Sequence, residues 1–86
     1  MPNKVNTEAL MKMIKATELY VEQLEKHINT LETSTVLFIA AMENDDLSKR
    51  YSPKLEASAR DLKTAKQHAE VLLESLSKHY KNLTQI

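Results

Sequence analysis

The chain of 86 residues balances twelve basic residues against twelve acidic ones and contains neither cysteine nor glycine. Intermixed charges that sum to zero argue against nucleic-acid binding, which usually needs a basic surface. Without cysteine, disulfide frameworks and thiolate metal sites are excluded. Without glycine, the chain cannot form a P-loop or a dinucleotide-binding loop. Enzyme chemistry and a bound cofactor are therefore not expected.

Apolar and small residues recur with an alternating spacing of four and three residues through the first half of the chain. The positions of this first seam are Leu10, Ile14, Thr17, Val21, Leu24, Ile28, Leu31, Thr35, Phe38 and Met42. An average spacing of 3.5 residues places them all on the side of an α-helix that faces a partner helix. Asn6 or Thr7 can cap this helix, and the charge of Glu8 favours its first turn. We predict one long helix over residues 7–43.

A polar segment, residues 43–46, follows the first seam. In a chain without glycine, Asn44 is the residue there that best tolerates the left-handed backbone that ends many helices. The predicted turn residues are Met42 and Asn44, and the predicted tip covers residues 44–52.

The second half of the chain repeats the pattern after a strong helix-start signal. Ser52 suits the cap position, and Pro53 suits the first helical position because its missing N–H would be unpaired there anyway. The predicted second helix covers residues 53–83. Its seam positions are Tyr51, Leu55, Ser58, Leu62, Ala65, Ala69, Leu72, Leu76, His79, Leu83 and Ile86. The predicted fold is all-α: a single domain, residues 1–86, in which two long antiparallel helices form a helical hairpin.

Two polar seam positions fall opposite each other if the chain reverses near residue 47. These are Thr17 in the first helix and His79 in the second. A hydrogen bond between them in an otherwise apolar layer would fix the register of the helices, as single buried polar groups do in coiled coils.

Apolar residues also extend beyond the two seams. Residues 36–42 are apolar all round the helix. Outside the predicted seams, Met13 and Tyr20 in the first helix, and Leu73 and Tyr80 in the second, widen the apolar stripe. Both features favour a helix pair that packs on another helix pair. We expect a dimer, with a second copy or a paralogous hairpin, in a four-helix bundle. The residues expected in the hairpin seam and dimer interface are Leu10, Ile14, Val21, Leu24, Ile28, Leu31, Leu37, Phe38, Met42, Leu55, Leu62, Leu72, Leu76 and Leu83.

Histidines raise the alternative of a metal site. The same chain reversal places His27 near His68, which is close enough to consider a pair of zinc ligands. No carboxylate has the spacing needed to complete such a site, so two surface histidines are the favoured interpretation. No metal or other cofactor is predicted.

The layout of two long helices, at this length, is shared with a known family. Residues 5–10 are similar to its N-terminal stretch of the form apolar-x-Ser/Thr-x-Glu, and Met42 to Asn44 stand where that family has a Trp-x-Gly turn. The chain resembles the small helical hairpins exported by type VII (Esx) secretion systems, the Trp-x-Gly superfamily. It departs from them in having neither the Trp nor the Gly. It also has Thr84, not an acid, four residues after Tyr80, where the family carries a Tyr-x-x-x-Asp/Glu export signal.

The resemblance implies a non-enzymatic interaction module, similar to a small type VII secretion substrate or to the partner of an exported toxin. Its partners would be itself or a paralogous helical hairpin, or a larger secreted protein or the export machinery. Other helical hairpins have different roles, so three alternatives stay open. They are an intracellular secretion chaperone or adaptor, a phage- or plasmid-encoded helical regulator, and a bacteriocin-immunity-like bundle.

Membrane insertion is not expected from the sequence. The longest apolar run, residues 36–42, is far shorter than the ~20 residues that span a bilayer. Residues 1–7 show no apolar signal-peptide core. We expect a cytoplasmic protein, or one exported by a route that needs no signal peptide.

Overall fold

The computed structural model describes residues 7–42 and 46–85 and contains two long helices. Helix α1 covers Thr7–Ala41 and helix α2 covers Asp46–Thr84. They pack against each other in antiparallel directions, which confirms the predicted helical hairpin. The molecule is 66 Å long with a cross-section of 17 × 14 Å. Helix α1 ends at Ala41 with a turn in which the Met42 N–H donates to the Phe38 carbonyl at 2.9 Å. The predicted turn residue Asn44 lies outside the described residues.

The start of α2 differs from the prediction. The helix begins at Asp46, so Pro53 lies inside it and not at its first position. Pro53 cannot donate to the Lys49 carbonyl, and an interior proline also crowds that carbonyl. The turn before it is nevertheless held in place, since Ser48 is buried and its Oγ lies 3.4 Å from the Oγ of Ser52. The prediction was wrong because a proline disfavours helical geometry in the preceding residue without forbidding it.

All ten seam positions of α1 are buried or half-buried. The helix therefore turns the predicted side towards α2. Two of these positions are threonines, and their hydroxyls are satisfied within the helix. Thr35 donates to the Leu31 carbonyl at 2.7 Å, and Thr17 donates to the Met13 carbonyl at 2.8 Å. Such back-bonding to the preceding turn lets a threonine sit in an apolar seam.

The seam of α2 is shifted at alternate positions relative to the prediction. Four predicted members, Tyr51, Ser58, Leu72 and His79, are exposed, and each has a shielded residue directly after it. The shielded positions with four-three spacing are Ser48, Ser52, Leu55, Ala59, Leu62, Lys66, Ala69, Leu73, Leu76, Tyr80 and Leu83. The four-three spacing fits both sets, because they share Leu55, Leu62, Ala69, Leu76 and Leu83 and differ by one residue at the positions between. The observed seam also includes the aliphatic stem of Lys66, which can pack while its ammonium reaches water. The predicted Ile86 lies outside the described residues.

The predicted hydrogen bond between Thr17 and His79 is wrong. His79 is exposed on the surface of α2, and the Thr17 hydroxyl is used within α1. A polar contact that does join the two helices is between Lys63 Nζ and Glu32 Oε2, at 2.8 Å.

The hairpin has a thin core for its size. Its accessible surface is 6866 Å², whereas a compact monomer of 9.8 kDa exposes about 5,200 Å². Its radius of gyration is 19.3 Å, compared with about 12 Å for a compact domain of this length. Among the described residues, the buried apolar side chains are Leu10, Ile14, Leu24, Ile28, Ala59 and Ala69. In the described part of the chain, the two helices are thus held together mainly by one layer of side chains.

Candidate interaction surface

The seam divides the surface of the hairpin into two flanks of very different composition. On one flank, charged side chains are rare, and we call it the charge-poor flank. From α1 it contains Ala9, Met13, Ala16, Tyr20, Gln23, His27, Thr30, Ser34, Leu37 and Ala41. From α2 it contains Leu47, Tyr51, Lys54, Ser58, Asp61, Ala65, His68, Leu72, Ser75, His79 and Asn82. Lys54 and Asp61 are its two charged residues.

The opposite side of the hairpin is the charged flank. Its charged residues are Glu8, Lys15, Glu18, Glu22, Glu25, Glu32, Asp46, Lys49, Glu56, Arg60, Lys63, Glu70, Glu74 and Lys81. The bond between Glu32 and Lys63 lies here, and both side chains are about half exposed. A groove near the tip contains some apolar surface, from Val36 and Ile39, but the charged side chains of Glu32, Glu56, Arg60 and Lys63 also line it. This flank is therefore suited to contact with water.

Large exposed apolar side chains concentrate on the charge-poor flank. Among the ten exposed large apolar residues in the part of the chain that the structure describes, six belong to it: Met13, Tyr20, Leu37, Leu47, Tyr51 and Leu72, with exposures of 42–64%. Leu19 and Val71 lie on the outer ridges of the helices, and Val36 and Ile39 lie on the charged flank. The six form one group near the tip and one nearer the open end, with smaller or polar side chains between them. Scattered exposed apolar residues are normal on a monomer, whereas their concentration on one flank marks an interaction surface.

A shallow groove runs between the helices on the charge-poor flank. It has a volume of about 500 Å³ and is lined by Ala16, Thr17, Tyr20, Ala65, His68, Ala69 and Leu72. The three alanines open it, because side chains of larger residues at those positions would fill the space between the helices. Tyr20 and Leu72 form its rims and remain half exposed. The groove can accept side chains from a partner surface.

Most of the predicted interface residues lie in the seam within the hairpin. The exceptions are Leu37 and Leu72, which are exposed on the charge-poor flank. The half-buried members are Val21, Leu31, Phe38, Met42, Leu55, Leu62, Leu76 and Leu83, and the buried ones are Leu10, Ile14, Leu24 and Ile28. The residues of the prediction that are free to meet another molecule are thus few.

Sequence reasoning missed the contrast between the two flanks. Met13 and Tyr20 were recognised as widening the apolar stripe, but Tyr51 was assigned to the seam. The signal that could have found the charge-poor flank is the near-absence of Lys, Arg, Asp and Glu from one side of each helix.

All three histidines are exposed on the charge-poor flank. His27 of α1 and His68 of α2 lie at similar heights along the hairpin, and His79 lies nearer its open end. Within residues 7–42 and 46–85, no group of three or more potential metal ligands is close enough to hold an ion.

No family model matches the chain, and no curated protein or solved structure matches it either. Neither of the two described helices has a stretch long and apolar enough to cross a membrane.

Proposed function

We propose that the chain is a non-enzymatic protein–protein interaction module that pairs with another helical hairpin to form a four-helix bundle. The observation that carries the proposal is the concentration of large exposed apolar residues on one flank of a hairpin whose own core is thin. Fully burying one Leu or Met side chain contributes roughly 1.5–3 kcal/mol. A second layer of helices would bury several such residues at once, and small helical chains commonly gain their stability in this way.

The biological role proposed for this module is that of a small type VII secretion substrate or of the partner of an exported toxin. It is supported by the hairpin layout, with helices of 35 and 39 residues. In such a role the protein does no chemistry and presents a helical surface to its partner or to the export machinery.

The pairing is tested by light scattering on a size-exclusion column over a range of protein concentrations. We expect a mass near twice the 9.8 kDa of one chain, with helical content and thermal stability that fall on dilution. A monomer that stays helical and stable at low micromolar concentration would overturn the proposal, because such a hairpin needs no second layer.

The secretion role requires a separate experiment. A tagged chain is expressed in cells with an intact type VII system and in cells that lack its export ATPase. Export in the first strain alone supports the role. Retention in both strains, even with the other hairpins of that system co-expressed, contradicts it.

A further inference from the structure

We propose that the charge-poor flank is the surface on which a second copy of this chain docks. The inference rests on the proposed pairing of hairpins, and it adds which flank is used and what covers it.

The distribution of charge selects the flank. Contact between two copies of the charged flank would remove fourteen charged side chains of each copy from water, and desolvation of charges often exceeds the attraction regained between them. This flank has nine acidic residues against five basic ones, so contact there would also bring two surfaces of the same net charge together. The charge-poor flank carries one positive and one negative charge. The ammonium of Lys54 already lies 5.3 Å from the centre of the Tyr51 ring near the tip.

The side chains of the charge-poor flank have the composition of an interface. Tyrosine and methionine are enriched in the centres of protein interfaces, while lysine, glutamate and aspartate are depleted. Tyr20 and Leu72 stand as anchors beside a groove floored by alanines, and Leu37 and Tyr51 stand near the tip. Because protruding side chains lie next to a groove, the same surface can insert side chains into a second copy and receive that copy's side chains. A two-fold symmetric interface requires such self-complementarity.

The size and shape of the flank identify its occupant. A face 66 Å long and 17 Å wide offers about 1,100 Å², compared with roughly 800 Å² from each partner in a standard interface. A short peptide would cover the groove and leave both ends of the charge-poor flank exposed. A nucleic acid or an anionic membrane would need a basic surface, which this flank lacks. A second hairpin of the same length matches the charge-poor flank from end to end. The charge-poor flank of that second hairpin carries no net charge.

Adjacent residues on the two helices provide matched tests. Leu72 (51% exposed) lies on the charge-poor flank, and its neighbour Val71 (64% exposed) lies on the outer ridge of the same helix. Tyr20 and Leu19 form the equivalent pair on α1, with exposures of 49% and 54%. We measure the dimer dissociation constant by sedimentation equilibrium for Leu72→Glu, Val71→Glu, Tyr20→Glu and Leu19→Glu. The dissociation constants of the variants at 72 and 20 should be at least tenfold higher than that of the wild type. Those of the variants at 71 and 19 should remain within twofold of the wild-type value.

A second measurement covers the case in which a glutamate variant fails to fold. The chain has no cysteine, so Leu72→Cys and Val71→Cys each introduce a single thiol. The thiol at 72 should react at least tenfold more slowly with a maleimide above the dissociation constant than below it, and the thiol at 71 should react equally fast at both concentrations. If the dimer forms but protects neither thiol, or protects only the one at 71, the docking flank is wrong while the pairing of hairpins stands. A stable helical monomer would instead remove the proposed function itself.

Discussion

Lys63 Nζ donates to Glu32 Oε2 at 2.8 Å and so links the two helices on the charged flank. The two residues are 31 positions apart in the chain, and the chain reverses between the end of α1 at Ala41 and the start of α2 at Asp46. Both side chains are about half exposed, so water screens the pair, and such pairs contribute little to stability.

We predict that Lys63→Met lowers the free energy of unfolding by less than about 1 kcal/mol and leaves dimer formation unchanged. The expected loss is small because an exposed ion pair is screened by water and salt. Urea denaturation, followed by circular dichroism at low and high salt, measures the first effect, and light scattering measures the second. Lys26→Met is the control, because its ion pair with Glu22 is confined to α1. Loss of the dimer in Lys63→Met alone would move the docking surface to the charged flank.

Neighbouring substitutions test the corrected seam of α2. Ala59 is buried, with 7% exposure, whereas Ser58 is exposed. Ala59→Leu should destabilise the hairpin by about 1–3 kcal/mol, because extra methylene groups in a packed layer force strain. Ser58→Leu should leave the monomer within about 0.5 kcal/mol of the wild type. Urea denaturation at protein concentrations below the dimer dissociation constant measures both changes in stability. A larger loss in Ser58→Leu than in Ala59→Leu would support the seam expected from the sequence.

The spacing of apolar residues was sufficient to predict the hairpin, because a long four-three pattern has few other solutions. It was sufficient for the seam of α1, where Leu and Ile occupy most positions. It failed at alternate positions of α2, where two neighbouring residues both fit a four-three pattern. Leu72 and Leu73 have the same side chain, so composition did not choose between them, and the shielded Ser52 and Lys66 have little apolar character. With that seam misplaced, the absence of charge from one side of each helix was missed.

Pro53 gives a direct test of where α2 begins. Because the helix begins at Asp46, Pro53→Ala restores an N–H that can donate to the Lys49 carbonyl and relieves the crowding by the ring. We expect it to raise the free energy of unfolding by about 1–3 kcal/mol, since proline in a helix interior is destabilising by about 3 kcal/mol relative to alanine. Chemical denaturation monitored by circular dichroism gives the value. A decrease in stability would mean that Pro53 occupies the first helical position, as its sequence context suggests.

Substitutions at Phe38 and Leu37 distinguish the role of the hairpin seam from that of the proposed docking surface. Phe38 is half-buried in the seam, whereas Leu37 is 64% exposed on the charge-poor flank. Phe38→Asp should unfold the hairpin or destabilise it by about 3 kcal/mol or more, since it removes a large apolar group and introduces a charge into the seam. Leu37→Asp should preserve the helical content of the monomer and weaken the dimer. Circular dichroism measures the helical content of both variants, and light scattering measures their mass. Equal helical content in the two variants would refute the placement of Phe38 in the seam.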